Sequence, residues 1–141
     1  MICEEFAFPE FGFRVLLVED NPDHVFVAMT VIKQVLGNSS EVIVAVNAAE
    51  AIDLVQHFTP HDRPDLILID LRLPLGNGFA VLEAARTHEA SSGVPVFVVT
   101  SSMFDRDVAM SYELGASAVL NKPLSRAALR EELKRIGALR Q

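Results

Sequence analysis

The stretch Leu66-Ile67-Leu68-Ile69-Asp70-Leu71-Arg72-Leu73-Pro74 decides the fold class. Four consecutive large apolar residues are typical of a short strand that is buried on both faces, as in a parallel sheet covered by helices. The run ends on a single carboxylate, Asp70, and Pro74 and Gly78 then shape the loop that leaves the strand. The question that the stretch raises is why a buried strand should carry a carboxylate at its end.

The rest of the chain repeats this pattern. Short apolar runs alternate five times with longer segments of helical period, which predicts an α/β domain with a parallel sheet wrapped by helices. The predicted strands are Arg14 to Val18, Val42 to Val46, Asp65 to Ile69, Val94 to Val99 and Ala118 to Leu120. The predicted helices are Pro22 to Leu36, Ala48 to Phe58, Gly78 to Glu89, Asp105 to Leu114 and Ser125 to Leu139, with Asn47 and Ser125 as N-caps.

Composition narrows the class of protein. The chain has 141 residues, of which 50% are hydrophobic, so one compact domain with a real core is expected. A net charge of −7 argues against a nucleic-acid-binding surface. The longest apolar run is too short to span a bilayer, and Glu4 and Glu5 stand where a secretory signal carries positive charge, so we expect no membrane segment and a cytoplasmic location. The single cysteine, Cys3, excludes an intramolecular disulfide and a cysteine metal cluster.

The first 13 residues do not fit the five-strand pattern. We expect an N-terminal extension over residues 1–13 and one domain over residues 14–141. The extension contains four phenylalanines, Phe6, Phe8, Phe11 and Phe13. They would either cover an exposed edge or groove of their own domain or contact a second subunit or partner.

Three carboxylates follow the first and third predicted strands. Glu19 and Asp20 come directly after Val18, and Asp70 comes directly after Ile69. In an open parallel sheet of order 2-1-3-4-5, these two strands are neighbours and the binding crevice lies at their carboxyl ends. Three carboxylates in one crevice repel one another unless protons or a cation compensate them, and an all-oxygen site open to water suits Mg²⁺. Glu19, Asp20 and Asp70 are therefore predicted metal ligands.

Two further polar residues end the remaining strands on the same side. Thr100 follows the fourth strand, and Lys122 lies two residues past Leu120. A hydroxyl and an ammonium beside a metal-bound carboxylate form a pocket for a tetrahedral dianion. The predicted chemistry is attack of Asp70 on a phosphoryl group to give an aspartyl phosphate, with Lys122 and Thr100 contacting phosphoryl oxygens.

Each residue also has a simpler explanation. Asp20 could cap the first helix, and Thr100 and Ser101 could cap the fourth helix or satisfy loop backbone. Lys122 could be a solvated charge, and Asp70 an ordinary first residue of a loop. The placement of all five site residues at carboxyl ends of predicted strands weighs against these explanations.

These residues together resemble the receiver domain of two-component response regulators, the CheY-like family. The resemblance covers Arg14 to Leu139 and rests on the motifs Leu16-Leu17-Val18-Glu19-Asp20-Asn21, Asp70 with Pro74 and Gly78, Thr100-Ser101-Ser102, and Lys122-Pro123. It implies a doubly wound, flavodoxin-like fold with a five-stranded parallel sheet of order 2-1-3-4-5 and five helices. It also implies Mg²⁺ binding and phosphorylation of Asp70 by a partner histidine kinase.

The resemblance assigns further roles. Glu19 and Asp20 correspond to the acidic pair, Arg72 to a residue whose backbone carbonyl binds the metal, Thr100 to the switch hydroxyl, and Lys122 to the active-site lysine, with a cis Lys122-Pro123 bond. The stretches Asp20-Asn21-Pro22-Asp23-His24 and Ser111-Tyr112-Glu113-Leu114 look most like the stand-alone regulators paired with bacterial phytochromes. A phytochrome-like sensor kinase is thus the expected partner.

One position departs from the family pattern. Receiver domains usually place an aromatic residue two or three positions before the lysine, and Val119 stands there in this chain. Valine cannot swing between buried and exposed positions as a tyrosine can, so we expect readout through loop or backbone shifts. The last predicted helix ends at the terminus, so we expect the chain to signal by binding another protein. We also expect a homodimer, formed through the fourth helix, the fifth strand, the fifth helix and the N-terminal tail. The alternative is that these elements simply complete the domain surface.

Other functions fit the residues less well. A flavin-binding electron carrier shares the topology, but Glu19 and Asp20 would repel the phosphate that its first loop binds. A phosphatase with an aspartyl nucleophile needs a second carboxylate two residues after the first, where Arg72 stands. We expect the chain not to be an enzyme for other substrates and to promote only its own phosphorylation and dephosphorylation. The main alternative is a binding module that keeps the fold and works without phosphorylation.

Overall fold

The computed structural model describes residues 12–101 and 103–138, which form a five-stranded parallel sheet with helices on both faces. The strands are β1 Arg14–Val18, β2 Glu41–Ala45, β3 Leu66–Ile69, β4 Val96–Thr100 and β5 Ala118–Asn121. The α-helices are α1 Pro22–Leu36, α2 Ala48–His57, α3 Gly78–Thr87, α4 Asp105–Glu113 and α5 Arg126–Arg135, and a short 3-10 helix spans Glu89–Ser91. The strand order is β2-β1-β3-β4-β5 with every neighbouring pair parallel, so the predicted flavodoxin-like fold is confirmed.

The element bounds follow the sequence closely. β1 and α1 have the predicted bounds, and Asn47 and Ser125 cap α2 and α5 as expected by accepting backbone N–H groups. β4 begins at Val96 and not at Val94, because Pro95 has no N–H to donate to the sheet. β2 lies one residue earlier than predicted, since Val46 leaves the sheet and is exposed.

Four helices end before the predicted residue, and α2 and α4 do so by one residue, at His57 and Glu113. α3 ends at Thr87, where His88 takes an extended conformation before the 3-10 helix. α5 is shorter than expected: it begins at Arg126 and ends at Arg135, where the chain turns through Gly137 at a φ of 84°. The predicted end of this helix at Leu139 lies outside the described residues.

The sheet separates two apolar cores. Successive residues of a strand point to opposite faces, so Leu17, Leu68 and Val99 pack with α1 and α5, while Leu16, Ile67 and Val98 pack with α2 and α3. All four residues of β3 are fully buried, as its unbroken apolar run predicted. β3 is therefore a rigid central strand that carries Asp70 at its end.

The beginning of the described chain belongs to the core. Phe13, which was predicted to belong to the extension, is buried in the core on the α1 and α5 side, and its carbonyl accepts the Glu41 N–H at 2.8 Å. Phe6, Phe8 and Phe11 lie outside the described residues. Within residues 12–101 and 103–138, no helix combines the length and the apolar character needed to cross a membrane.

Candidate functional site

Three carboxylates meet at the carboxyl edge of the sheet. β1 pairs with β2 on one side and with β3 on the other, so the chain order reverses there and a crevice opens past the strand ends. Oxygen atoms of Glu19, Asp20 and Asp70 all lie within 4.8 Å of one another. The structure thus brings together the three acidic residues that the sequence placed after these two strands.

Backbone contacts hold the two buried carboxylates. Glu19 and Asp70 are buried, and Asp20 is exposed. The Asn21 N–H donates to Glu19 Oε2 at 3.1 Å, and the Arg72 N–H donates to Asp70 Oδ1 at 3.2 Å. Each carboxylate keeps one oxygen for these donors and turns the other toward the crevice.

Asn21, and not Asp20, caps the first helix. Its side-chain oxygen accepts the backbone N–H groups of Asp23 at 2.8 Å and His24 at 3.3 Å. The simpler explanation of Asp20 as a helix cap is therefore wrong. Asp20 is left exposed beside two buried carboxylates, where it is free to contact a ligand.

Lys122 is the cation of the crevice. It directly follows β5, its backbone N–H donates to the Thr100 carbonyl at 3.0 Å, and the Lys122-Pro123 bond is cis, as the resemblance implied. Its Nζ lies 2.6 Å from Glu19 Oε1 and 2.9 Å from Asp70 Oδ2. Burial acts to lower the Lys122 pKa, but the hydrogen bonds and charges of Asp70 and Glu19 outweigh it and raise the pKa above its ordinary value. Lys122 is thus a half-buried ion-pair partner and not a solvated charge.

His24 is a crevice residue that was not among the predicted site residues. Its Nδ1 lies 2.9 Å from Lys122 Nζ and 3.7 Å from Glu19 Oε2. The position of His24 in the sequence could have indicated this role, because the first turn of α1 must lie at the same edge of the sheet as the end of β1. A polar residue in that turn can therefore reach the crevice.

Thr100 is the last residue of β4 and is fully buried, while Ser101 is exposed and lines the crevice. α4 begins only at Asp105, with Phe104 as its N-cap residue and no capping side chain among the described residues. A capping role for Thr100 or Ser101 in that helix is therefore wrong. Ser101 lines the crevice, and Thr100 ends β4 at the same edge of the sheet, as the sequence predicted.

The loop after Asp70 passes very close to the start of α3. A Cβ atom on Gly78 would lie 2.3 Å from the Asp70 carbonyl oxygen and 2.7 Å from Leu71 Cα, so only glycine fits. The Gly78 N–H donates to the Leu71 carbonyl at 2.9 Å and fixes this approach. Arg72 is exposed in the loop, and the metal-binding role of its carbonyl stays a prediction.

A cavity of about 210 Å³ extends from the crevice under α1. Glu19, Asp70, His24 and Lys122 line its polar end. Its remaining wall is mostly apolar and includes Leu17, Val27, Ala28, Leu68, Val99 and Leu124. The polar end is where a small anion or a cation can reach Asp70.

Val119 occupies the position that is usually aromatic, and a tyrosine reaches it from α4. Val119 is half-buried, and its backbone N–H donates to Tyr112 Oη at 3.2 Å. Tyr112 itself is half exposed. The contact joins α4 to the outer edge of β5.

The donor set of the crevice fits a hard divalent cation. The three carboxylates and one ammonium leave two negative charges uncompensated, and all candidate ligands are oxygen atoms. The exposure of Asp20 leaves room for the water ligands that Mg²⁺ retains. The carboxylates are thus close enough to share one ion.

Comparison with known proteins identifies the family. The family model for the response regulator receiver domain matches residues 15–134, which include every crevice residue described above. The chain belongs to the response regulator receiver domain family. The resemblance based on the sequence motifs is confirmed.

Relatives of this receiver domain include both short and long proteins. It is 34% identical over 125 residues to a probable methanogenesis regulatory protein, FilR2, from Methanothrix harundinacea, covering 87% of this chain and 77% of that protein. It is 32% identical over 110 residues to the DNA-binding response regulator MtrA from Mycolicibacterium smegmatis, covering 78% of this chain and 44% of MtrA. The chain thus spans less than half the length of MtrA.

Two solved structures are similar over almost the whole receiver domain. The bacteriophytochrome response regulator AtBRR matches with a TM-score of 0.76 at 30% identity, covering 92% of this chain and 95% of that one. The receiver domain of the sensor histidine kinase PA1611 from Pseudomonas aeruginosa PAO1 matches with a TM-score of 0.75 at 28% identity, covering 88% and 96%. That structure has a magnesium ion coordinated in its active-site cleft.

Proposed function

We propose that this receiver domain accepts a phosphoryl group on Asp70 from a histidine kinase in a Mg²⁺-dependent reaction. The observation that carries the proposal is the crevice in which Asp70 Oδ2 lies 2.9 Å from Lys122 Nζ and within reach of Glu19 and Asp20. A buried carboxylate with a cation beside it and two further carboxylates has the parts needed for phosphoryl transfer. Membership of the receiver family and the magnesium ion in the PA1611 receiver domain support it.

The residues would divide the reaction between them. An Asp70 carboxylate oxygen forms the new bond to phosphorus, and the phosphorus–nitrogen bond of the kinase phosphohistidine breaks with its electron pair remaining on the imidazole. Glu19, Asp20, Asp70 and the Arg72 carbonyl would hold Mg²⁺, which offsets negative charge between the carboxylate and the phosphoryl oxygens. The Lys122 ammonium pairs with one phosphoryl oxygen, and the Thr100 hydroxyl donates to another.

The chain is proposed to act as a signalling switch and not as an enzyme on another substrate. It would promote only the formation and hydrolysis of its own aspartyl phosphate, and its output would be changed protein binding. The likeness to AtBRR supports a phytochrome-like sensor kinase as the phosphoryl donor. Phosphoryl transfer from such a kinase would take place in the cytoplasm.

Dimerisation is a further part of the proposal. The face formed by α4, β5 and α5 exposes Met110 and Tyr112, and an apolar surface of this kind suits a second copy of the chain. The N-terminal tail would add to the contact. Sedimentation with and without beryllofluoride would test the homodimer, and monomer alone under both conditions at micromolar concentration would contradict it.

The decisive experiment is phosphorylation by a small acyl phosphate in the presence of Mg²⁺, followed by measurement of the intact mass. We expect one phosphoryl group on the wild type and none on Asp70→Asn. Asp23→Asn is the matched control, because it removes the same charge from an exposed site in the first turn of α1. An equal adduct on Asp70→Asn, or no adduct on a wild type that binds Mg²⁺, would contradict the proposal and favour a binding module that works without phosphorylation.

A further inference from the structure

The Lys122 ammonium has three acceptors in the described crevice. An ammonium carries three N–H donors and no acceptor. Lys122 Nζ lies 2.6 Å from Glu19 Oε1, 2.9 Å from Asp70 Oδ2 and 2.9 Å from His24 Nδ1. Each of its three N–H groups can therefore have its own partner, and His24 supplies the one acceptor of the three that is not a carboxylate.

Packing alone does not hold the ammonium in place. The side chain of Lys122 runs along the wall of the cavity of about 210 Å³, so its long stem has space on one side. The Lys122 side chain is only 12% exposed, so protein atoms supply most of its surroundings. The direction of the ammonium must then be set by the atoms that accept its hydrogen bonds.

His24 is well placed to be one of these atoms. Its backbone N–H is held by the Asn21 side chain in the first turn of α1, so the position of its side chain follows from the helix cap. Because an ammonium can only donate, Nδ1 must be the accepting nitrogen of the imidazole. Glu19 Oε2, at 3.7 Å, is too far from Nδ1 for a hydrogen bond, so Lys122 is the partner of this nitrogen.

We propose that His24 is a positioning residue that holds the Lys122 ammonium at the phosphorylation site. The proposal rests on the function proposed above for Asp70. When a phosphoryl group is bonded to Asp70, that carboxylate loses its charge and the ammonium must turn toward a phosphoryl oxygen. His24 takes no part in the bonds that form and break in this step, so it can keep the ammonium in the crevice before and after transfer.

The first measurement needs no phosphorylation. The chain has three lysines, Lys33, Lys122 and Lys134, so the ¹⁵N signals of the side-chain ammonium groups can be assigned individually. We expect a Lys122 signal with slow proton exchange in the wild type, and exchange about threefold to tenfold faster in His24→Ala, as loss of one partly exposed, charge-assisted hydrogen bond implies. His24→Asn should restore slow exchange, because its amide oxygen can accept where Nδ1 does.

The second measurement is the rate of phosphorylation by a small acyl phosphate as a function of donor concentration. His24→Ala should lower the rate at saturating donor by about threefold to tenfold and leave the half-saturating concentration nearly unchanged, with recovery in His24→Asn. His57→Ala is the matched control, because His57 is an exposed histidine on α2 whose Nδ1 contacts the Asp53 carbonyl. It should match the wild type in both measurements.

Two results would overturn the proposal. One is a Lys122 ammonium that exchanges equally fast in the wild type, His24→Ala and His57→Ala. The other is a phosphorylation rate that is lowered in His24→Ala and is not restored in His24→Asn, although the melting temperature of His24→Asn equals that of the wild type. If the wild type takes up no phosphoryl group at all, the function proposed for Asp70 fails, and the ammonium signals still decide whether His24 positions Lys122.

Discussion

The two ends of the central sheet carry similar charged residues but satisfy them in opposite ways. At the amino end, the Arg14 N–H donates to Asp65 Oδ2 at 2.8 Å, and the Arg86 guanidinium donates to the carbonyls of Gly115 at 2.9 Å and Val94 at 2.7 Å. At the carboxyl end, three carboxylates lie close together, and the Lys122 ammonium pairs with two of them, Glu19 and Asp70. Charge at the first end is matched by the protein's own groups, whereas charge at the second is left in excess.

This difference separates residues that stabilise the fold from residues that bind. A charged group whose partners are backbone atoms of the same domain is satisfied once the chain folds, so its removal lowers stability. Carboxylates that face one another are satisfied only when a cation arrives, so their removal lowers binding. Variants at the two ends should therefore change different measurements.

The largest effect is expected where the crevice depends on backbone packing. Gly78→Ala would place a Cβ atom 2.3 Å from the Asp70 carbonyl oxygen and should lower the free energy of unfolding by about 3 kcal/mol, while also weakening Mg²⁺ binding by displacing Asp70. Urea unfolding and calorimetric titration with Mg²⁺ measure the two effects. Gly93→Ala is the control, because no described atom lies within 4 Å of a Cβ there. Equal unfolding curves for the two variants would contradict the close approach.

The next effect tests the amino end alone. Arg86→Ala removes donors to the carbonyls of Gly115, Val94 and Ser92 and should lower the free energy of unfolding by about 2 kcal/mol. Mg²⁺ affinity should stay within about twofold of the wild type, since these contacts lie at the opposite end of the sheet. Arg106→Ala, at an exposed position of α4, should change neither quantity. A large loss of Mg²⁺ affinity in folded Arg86→Ala would contradict the conclusion that residues at the amino end stabilise the fold and do not contribute to binding.

A carboxyl-end variant should show the reverse behaviour. Asp20→Asn removes one of three mutually repelling carboxylates, so its melting temperature without metal should equal or exceed that of the wild type. Its Mg²⁺ affinity should fall by about tenfold or more, because one oxygen ligand loses its charge. The control is Asp23→Asn, which carries the same change of charge outside the cluster. A lower melting temperature without metal, or an unchanged Mg²⁺ affinity, would contradict the assignment of Asp20 to binding.

The smallest effects concern pH. The Lys122 pKa is raised above 10.5 in the folded state, so its stabilising contribution is complete below about pH 10.5 and is lost as the pH rises through the folded pKa. The Asp62 pKa is lowered below 3.8 by hydrogen bonds from the Thr59 backbone and hydroxyl, so its contribution is present above about pH 3.8 and is lost as the pH falls through the folded pKa. Stability measured against pH should lose part of its alkaline decline in Lys122→Met and part of its acid decline in Asp62→Asn. Unchanged profiles in both variants would contradict these contributions.

Much of the site was predictable because strand ends are local features. An apolar run followed by a carboxylate, as at Ile69 and Asp70, places that carboxylate at the edge of a parallel sheet whatever the details of packing. The predicted bounds of strands and helices were wrong where a single residue changed the course of the backbone, as at Pro95 before β4 and at Gly137 after α5. The fourth helix was expected to lie on a contact face, but the contact of its Tyr112 with the Val119 N–H depends on how α4 lies across β5, which no local pattern states.

The sequence by itself determined the order of strands and helices, the polar residues that end each strand, and the family motifs, because hydrophobic period and residue type are local properties of the chain. Only the tertiary structure decided which atoms meet. It placed His24, 98 residues before Lys122 in the chain, 2.9 Å from the ammonium. This contact depends on how the first turn of α1 and the residue after β5 meet at one edge of the sheet, because distances between groups so far apart in the chain are set by the packed core that lies between them.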